Sequence, residues 1–125
     1  MLRNILIVGI GSFLGGVLRY LISIVMKNYC SQGFPWATLM VNLLGCLLIG
    51  LLFGLFNRYS SINNVWCLLF TTGLCGGFTT FSTFANESVQ MLQQGNTAGF
   101  LGYVAASIVL GFLLVALGYW LVSKF

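Results

Sequence analysis

Long apolar runs alternate with short polar segments along the whole chain. Four runs can be marked off, at about 4–26, 35–56, 65–92 and 98–122. Because a helix of roughly 20 residues crosses the ~30 Å hydrocarbon core of a bilayer, each run is long enough to span a membrane. The pattern predicts an all-α membrane protein, a single domain over residues 1–125, with four transmembrane helices.

The third run is longer than a straight crossing requires, and it contains the stretch GLCGGFTTFSTF at 73–84. Gly76 and Gly77 weaken a helix, and the hydroxyls that follow can bond to nearby backbone groups. Irregular backbone at membrane depth is tolerated only where it is buried in protein or lines a cavity. Two interpretations stay open: a kinked helix that packs its phenylalanines, or a broken helix whose freed carbonyls bind a hard cation such as sodium.

Phe81 and Phe84 follow this stretch three residues apart, so they share one helix face. The edge of a phenyl ring is the positive end of its quadrupole. A small anion can therefore be lined by ring edges as well as by hydroxyl groups.

Composition and charge narrow the class of protein. Mean hydropathy is +1.03 and only 5% of residues are charged, too few for the surface of a soluble domain. The chain is therefore predicted to be a multi-pass protein of the cell membrane. Its net charge of +4 requires no nucleic-acid partner.

The basic side chains are almost balanced between the two sides of the membrane. With four spans, Arg3, Arg58 and Lys124 share one side, Lys27 lies on the other, and Arg19 lies within the first span. Under the positive-inside rule this bias mildly favours cytoplasmic termini but fixes no single orientation.

Enzymatic chemistry is excluded by what the chain lacks. It has no histidine and no aspartate, and its only acid is Glu87. General bases, activated nucleophiles and metal sites need more than that, so the sequence is not that of an enzyme. Glu87 is interpreted either as a charge near a helix end or as a functional group. The cysteines match no metal or redox spacing and are interpreted as small apolar fillers: Cys30, Cys46, Cys67 and Cys75.

Several polar residues interrupt the apolar runs. Asn42 either makes an interhelical hydrogen bond or donates to a passing anion, for which an uncharged donor is suitable. Arg19 either extends to the interface or places positive potential in a water-filled vestibule. Tyr103 and Ser107 share one face of the fourth span, either as packing contacts or as part of a polar track. Small residues four apart predict close helix packing: Gly11 and Gly15, Ser12 and Gly16, Cys46 with Gly50 and Gly54, and Gly102 with Ala106.

The stretch GLCGGFTTFSTF resembles the signature of the Fluc (CrcB-like) fluoride channels. GGVLRY around Arg19 is similar to the family's first-span pattern, VNLLG with Asn42 to its second, and Tyr103 and Ser107 stand where the family has fourth-span hydroxyls. Length and layout agree, so the resemblance covers essentially the whole chain. One departure is Gly111, where some members carry a further hydroxyl.

The resemblance implies a homodimer of two subunits inserted in opposite orientations, with a third span broken in mid-membrane. Two fluoride pores run along the interface, and a structural sodium ion sits on the dimer axis. Carried over to this chain, the backbone carbonyls of Gly76 and Thr79 bind the sodium, and Arg19 lies toward a vestibule. The residues implied to line the pores or to bind fluoride are Asn42, Phe81, Ser82, Thr83, Phe84, Tyr103 and Ser107. The implied role is passive fluoride export, and hence fluoride resistance, with fluoride, lipid and the inverted second subunit as partners.

Two other functions are compatible with four short apolar spans. A small multidrug-resistance exporter also has four short spans in an inverted dimer, but it resembles its relatives in carrying a glutamate in the first span, where this chain has Arg19 and no acid. A non-transporting membrane assembly protein, whose polar residues serve only packing, is opposed by the third-span motif.

Overall fold

The computed structural model describes residues 1–29, 34–59 and 64–124, and all regular structure in these ranges is helical. Cys30 lies outside the described residues. In chain order the elements are α1 (Leu2–Tyr29), α2 (Trp36–Arg58), α3 (Asn64–Cys67), a π-helical segment (Leu68–Cys75), α4 (Gly76–Phe78), α5 (Phe81–Gln93) and α6 (Thr97–Lys124).

Four helical stretches are long and apolar enough to cross a membrane. They are Leu2–Asn28, Trp36–Arg58, Asn64–Gln93 and Thr97–Lys124. Large apolar side chains cover their outer surfaces; Phe13, for example, is 70% exposed, as suits a lipid-facing position. The prediction of an all-α membrane protein with four transmembrane helices is therefore confirmed.

The first and third spans run parallel and touch through glycines. A Cβ atom on Gly11 would lie 2.8 Å from the Cα of Gly73, and one on Gly77 would lie 2.5 Å from the carbonyl oxygen of Ser12. A Cβ on Gly15 would overlap the carbonyl oxygen of Leu74. The two backbones are thus in direct contact, which larger residues would prevent.

The second and fourth spans form a second parallel pair. A Cβ on Gly50 would overlap the carbonyl oxygen of Val115. At their C-terminal ends, Arg58 donates to the carbonyl of Val122 over 2.6 Å, which satisfies an acceptor that the end of α6 leaves open. The close packing predicted from small residues is therefore found at Gly11, Gly15 and Gly50. It is not found at Gly16 or Gly102, around which there is open space within 4 Å.

The third span changes its backbone geometry four times along its length. Its middle is wound as a π-helix, α4 ends at Phe78, and Thr79 and Thr80 are extended, with ψ angles of 158° and 119°. The extended residues come after the glycine pair, which is itself helical. Gly77 serves instead as the contact with α1, so its small size is used for packing.

The helix begins again at Phe81 because Thr80 caps it. The hydroxyl of Thr80 accepts a hydrogen bond from the backbone N–H of Thr83, as a helix N-cap does. At the other end of α5, Gly95 adopts a φ of +79° and turns the chain into α6. Asn96 then caps α6 by accepting from the N–H of Gly99.

Candidate functional site

The side chain of Asn42 holds the extended backbone between α4 and α5. Its Oδ1 accepts from the N–H of Thr80 over 3.0 Å, and its Nδ2 donates to the carbonyl of Thr80 over 3.3 Å. One amide therefore satisfies both backbone groups of a residue that has left the helical ladder. Asn42 makes the interhelical contact that its position in an apolar run predicts, and a second N–H on Nδ2 is left for another acceptor.

Two backbone carbonyls are released from the helix at this point. The N–H groups that would ordinarily bond to the carbonyls of Gly76 and Thr79 are those of Thr80 and Thr83, four residues on. These donate instead to Asn42 and to the hydroxyl of Thr80. Both carbonyls are therefore available as oxygen ligands, and they fit the sodium ion that the resemblance implies.

An open groove of about 480 Å³ runs along the same face of the bundle. It is bordered by α2, α6 and the interrupted third span. Its lining combines polar and aromatic side chains: Asn42, Gly45, Cys46, Ile49, Thr71, Cys75, Gly76, Thr79, Thr80, Phe81, Phe84, Ser107, Ile108, Gly111 and Phe112. Six of the residues singled out from the sequence, on three separate spans, thus meet in one groove.

Phe81 and Phe84 form the start of an aromatic series within this groove. Their ring centroids are 5.9 Å apart, and Phe84 lies 5.0 Å from the ring of Tyr103 at an angle of 58°. Phe81 is 78% exposed, whereas Tyr103 is fully buried. Because the rings are tilted rather than stacked, they can present edges as well as faces to their surroundings.

Ser107 adds an unpaired hydroxyl group to the groove. Its Oγ is buried and has no hydrogen-bond partner among the described residues. Buried polar atoms nearly always have a partner, so an unpaired one calls for an explanation. The hydrogen-bonding capacity of this hydroxyl is therefore not used by the described residues.

A second groove, of about 440 Å³, includes the hydrogen-bond partner of Tyr103 in its lining. Thr83, Glu87 and Lys27 line it, and the hydroxyl of Tyr103 donates to Oε1 of Glu87 over 3.2 Å. The carboxylate of Glu87 therefore has a tyrosine as its hydrogen-bond partner and lines a polar groove.

The remaining candidates are placed differently from one another. Thr83 lines the second groove, and Ser82 is exposed and lines neither groove. Tyr103 is buried and contacts Phe84 of the first groove and Glu87 of the second. Arg19 also lines neither groove; its backbone carbonyl accepts from the hydroxyl of Ser23.

Sequence reasoning assigned no site role to two polar side chains of α2. Thr38 is buried and lines the second groove, and the thiol of Cys46 lines the first. Both lie four residues from Asn42 on α2, so they share its face. The four-residue spacing from Asn42 is therefore enough to identify both residues from the sequence. Thr71 also lines the first groove, but its hydroxyl donates to the carbonyl of Cys67, and no spacing identifies it.

Four membrane-spanning helices with polar grooves on the bundle define a multi-pass protein of the cell membrane. The sequence model of the family described as CrcB-like protein, Camphor Resistance (CrcB), matches residues 6–119, and the chain belongs to this family. The resemblance drawn from the span motifs is therefore confirmed.

Individual relatives agree over nearly their full lengths. A protein of Phocaeicola vulgatus is 48% identical over 96% of this chain and 98% of its own. A protein of Escherichia coli is 43% identical over 98% of this chain and 96% of its own, and one of Leptospira interrogans is 38% identical over 98% and 97%. Each is named a fluoride-specific ion channel. The expectation that the chain is not an enzyme is thereby confirmed.

Proposed function

We propose that this protein is a fluoride-specific ion channel that lets fluoride cross the cell membrane passively. The observation that carries the proposal is the first groove, where an unpaired hydroxyl, an amide and two phenylalanine rings from three spans converge. The choice of fluoride as the transported ion follows from the names of the relatives. None of the groove's donors carries a full charge, so an anion is attracted without being trapped.

The pathway follows the order of the side chains between the two grooves. Fluoride enters at the groove with Thr83, passes Tyr103 and Phe84, and reaches Phe81 and the groove with Ser107. Hydroxyls and ring edges replace part of its hydration shell along the way. The second N–H of Asn42 provides one further donor, and Ser82 joins the path at the exposed start of α5.

The pore is completed by a second copy of the chain in the opposite orientation. The first groove is open along one face of the subunit, and Phe81 and Phe112 stand 78% and 75% exposed beside it. An inverted partner covers this face and forms two equivalent pores. The near balance of basic residues suits a chain that inserts both ways.

The carbonyls of Gly76 and Thr79, whose usual helical donors bond elsewhere, would hold a structural sodium ion in this dimer. Such a cation would supply fixed positive charge and would replace the helical hydrogen bonds that these carbonyls lack. The channel's role is to export fluoride that has entered the cell as the neutral acid, and so to confer resistance.

Fluoride efflux from liposomes, recorded with a fluoride electrode, tests the channel. Reconstituted protein should release fluoride rapidly down its gradient, release little chloride, and be insensitive to a proton gradient. Release that requires a proton gradient would indicate an exporter. A folded, dimeric protein that releases no fluoride would contradict the proposal and favour an assembly function.

Labelling of intact cells tests the inverted arrangement. A cysteine placed at Ser61, in a segment outside the described residues, should react with an impermeant reagent in about half of the copies. Reaction of all copies, or of none, would show a single orientation.

A further inference from the structure

The second groove is lined by a basic side chain that is not part of any span motif. Lys27 lies in the last turn of α1 and lines this groove together with Thr83 of α5. Arg19, two turns earlier on the same helix, does not line it. The positive charge nearest to the mouth of the path is therefore that of Lys27.

The charges that face this groove are few. Among the described residues that line it, Lys27 and Glu87 are the only charged ones, and the others are apolar or carry amide and hydroxyl groups. One oxygen of Glu87 accepts from Tyr103 at the inner wall. A negative carboxylate at that place repels an approaching anion. The positive charge of Lys27 on the rim offsets this repulsion.

The other basic side chains are held elsewhere. Arg58 donates to the carbonyl of Val122, and the ammonium of Lys124 lies 4.8 Å from the ring centroid of Trp120, both at the C-terminal ends of α2 and α6. Neither lines the groove. Arg3 and Arg19 do not line the groove either, which leaves Lys27 as the cation through which the mouth can act on ions in solution.

We propose that Lys27 raises the local fluoride concentration at the mouth of the pathway and thereby sets the concentration at which flux is half-maximal. The inference rests on the proposed channel function. A unit charge at roughly 7 Å through water changes the local concentration of a monovalent ion by about threefold. Replacing lysine by glutamate reverses the charge and squares that factor, to about tenfold.

The alternative is that Lys27 only stabilises the C-terminal end of α1. A cation in the last turn interacts favourably with the helix dipole and with lipid headgroups. That role affects folding and insertion, but it predicts no dependence of fluoride affinity on salt. Steering by an exposed charge does, because the Debye length falls from about 30 Å at 0.01 M salt to about 3 Å at 1 M.

The experiment measures fluoride flux against fluoride concentration in vesicles of neutral lipid, at about 0.01 M and about 1 M of a salt that does not permeate. At low salt, Lys27→Gln should raise the half-saturating concentration about threefold and Lys27→Glu about tenfold, with maximal flux unchanged. At high salt both differences should disappear. Lys27→Arg should behave as the wild type throughout, and Lys124→Gln is the matched control, expected to have no effect.

The outcomes separate this inference from the function on which it rests. If the wild type releases no fluoride, the channel proposal fails. If the wild type conducts but Lys27→Gln keeps the wild-type half-saturating concentration at low salt, only the role of Lys27 is overturned. A change that persists undiminished at 1 M salt also overturns it, since it indicates a short-range structural effect. Should Lys27→Glu fail to assemble, Lys27→Gln alone decides.

Discussion

Replacing Asn42 by leucine removes the one side chain that bonds to both backbone groups of Thr80. The two hydrogen bonds, of 3.0 and 3.3 Å, are lost, while leucine keeps the same branched outline of four side-chain heavy atoms. Each buried backbone group left without a partner costs about 1–3 kcal/mol. In membranes interhelical hydrogen bonds average only about 0.6 kcal/mol, because the chain finds other partners. We therefore expect a loss of about 1–5 kcal/mol, centred near 2–3 kcal/mol.

The matched control is the same substitution at Asn57, on the same helix. Its amide donates to the hydroxyl of Tyr119 over 3.2 Å, but both groups are exposed. Water or headgroups replace that bond, so Asn57→Leu should cost less than about 1 kcal/mol. Unfolding of each variant in mixed micelles of increasing SDS fraction, followed by tryptophan fluorescence, measures the difference in free energy. Fluoride efflux of the folded fraction is recorded in parallel.

The two substitutions differ in what they should do to flux. Asn42→Leu should abolish efflux even where the protein remains folded, because the extended residues and the free carbonyls beside them lose their support. Equal stability of the two variants, together with normal efflux from Asn42→Leu, would show that Asn42 does not hold the backbone of Thr80 in the membrane.

Three further predictions follow from the same structure. Phe81→Ile should leave a folded dimer with at least tenfold lower fluoride efflux, and Phe81→Met should lose less, because its methyl and thioether partly replace the ring edge; equal efflux from the two would assign the ring to packing alone. Gly15→Ala should destabilise the protein in the SDS assay by more than about 2 kcal/mol, because its methyl would overlap a backbone carbonyl, whereas Gly16→Ala, with open space around it, should be neutral or slightly stabilising. Exhaustive replacement of sodium by a large organic cation should lower dimer stability. Thr79→Ser should keep most of the efflux, while Gly76→Val should abolish it. Dimer stability and efflux that do not change when sodium is removed would show that these carbonyls bind no sodium.

The sequence by itself determines the elements and much of the site's composition. Four apolar runs of membrane length can be satisfied in lipid only as helices, so their number follows without a structure. The run of glycines and hydroxyls marks where the third span becomes irregular, since these residues offer the backbone other partners. Asn42 and Ser107 stand out because an isolated polar group in an apolar run is costly unless it has a use.

Only the tertiary structure decides which of these residues meet. Asn42 and Thr80 are 38 positions apart, and their pairing depends on how α2 crosses the third span. That crossing is set by close contacts at glycines such as Gly45, on which a Cβ would overlap the side-chain methyl group of Thr79. The local pattern identifies such a residue as small but does not identify its partner. The same holds for the second groove: Arg19 and Lys27 are equal as charges in the sequence, and only the packing of the bundle puts Lys27 at this groove. A one-dimensional pattern records which side of a helix a residue occupies, whereas the side that faces a given neighbour is fixed by the packing of the whole bundle.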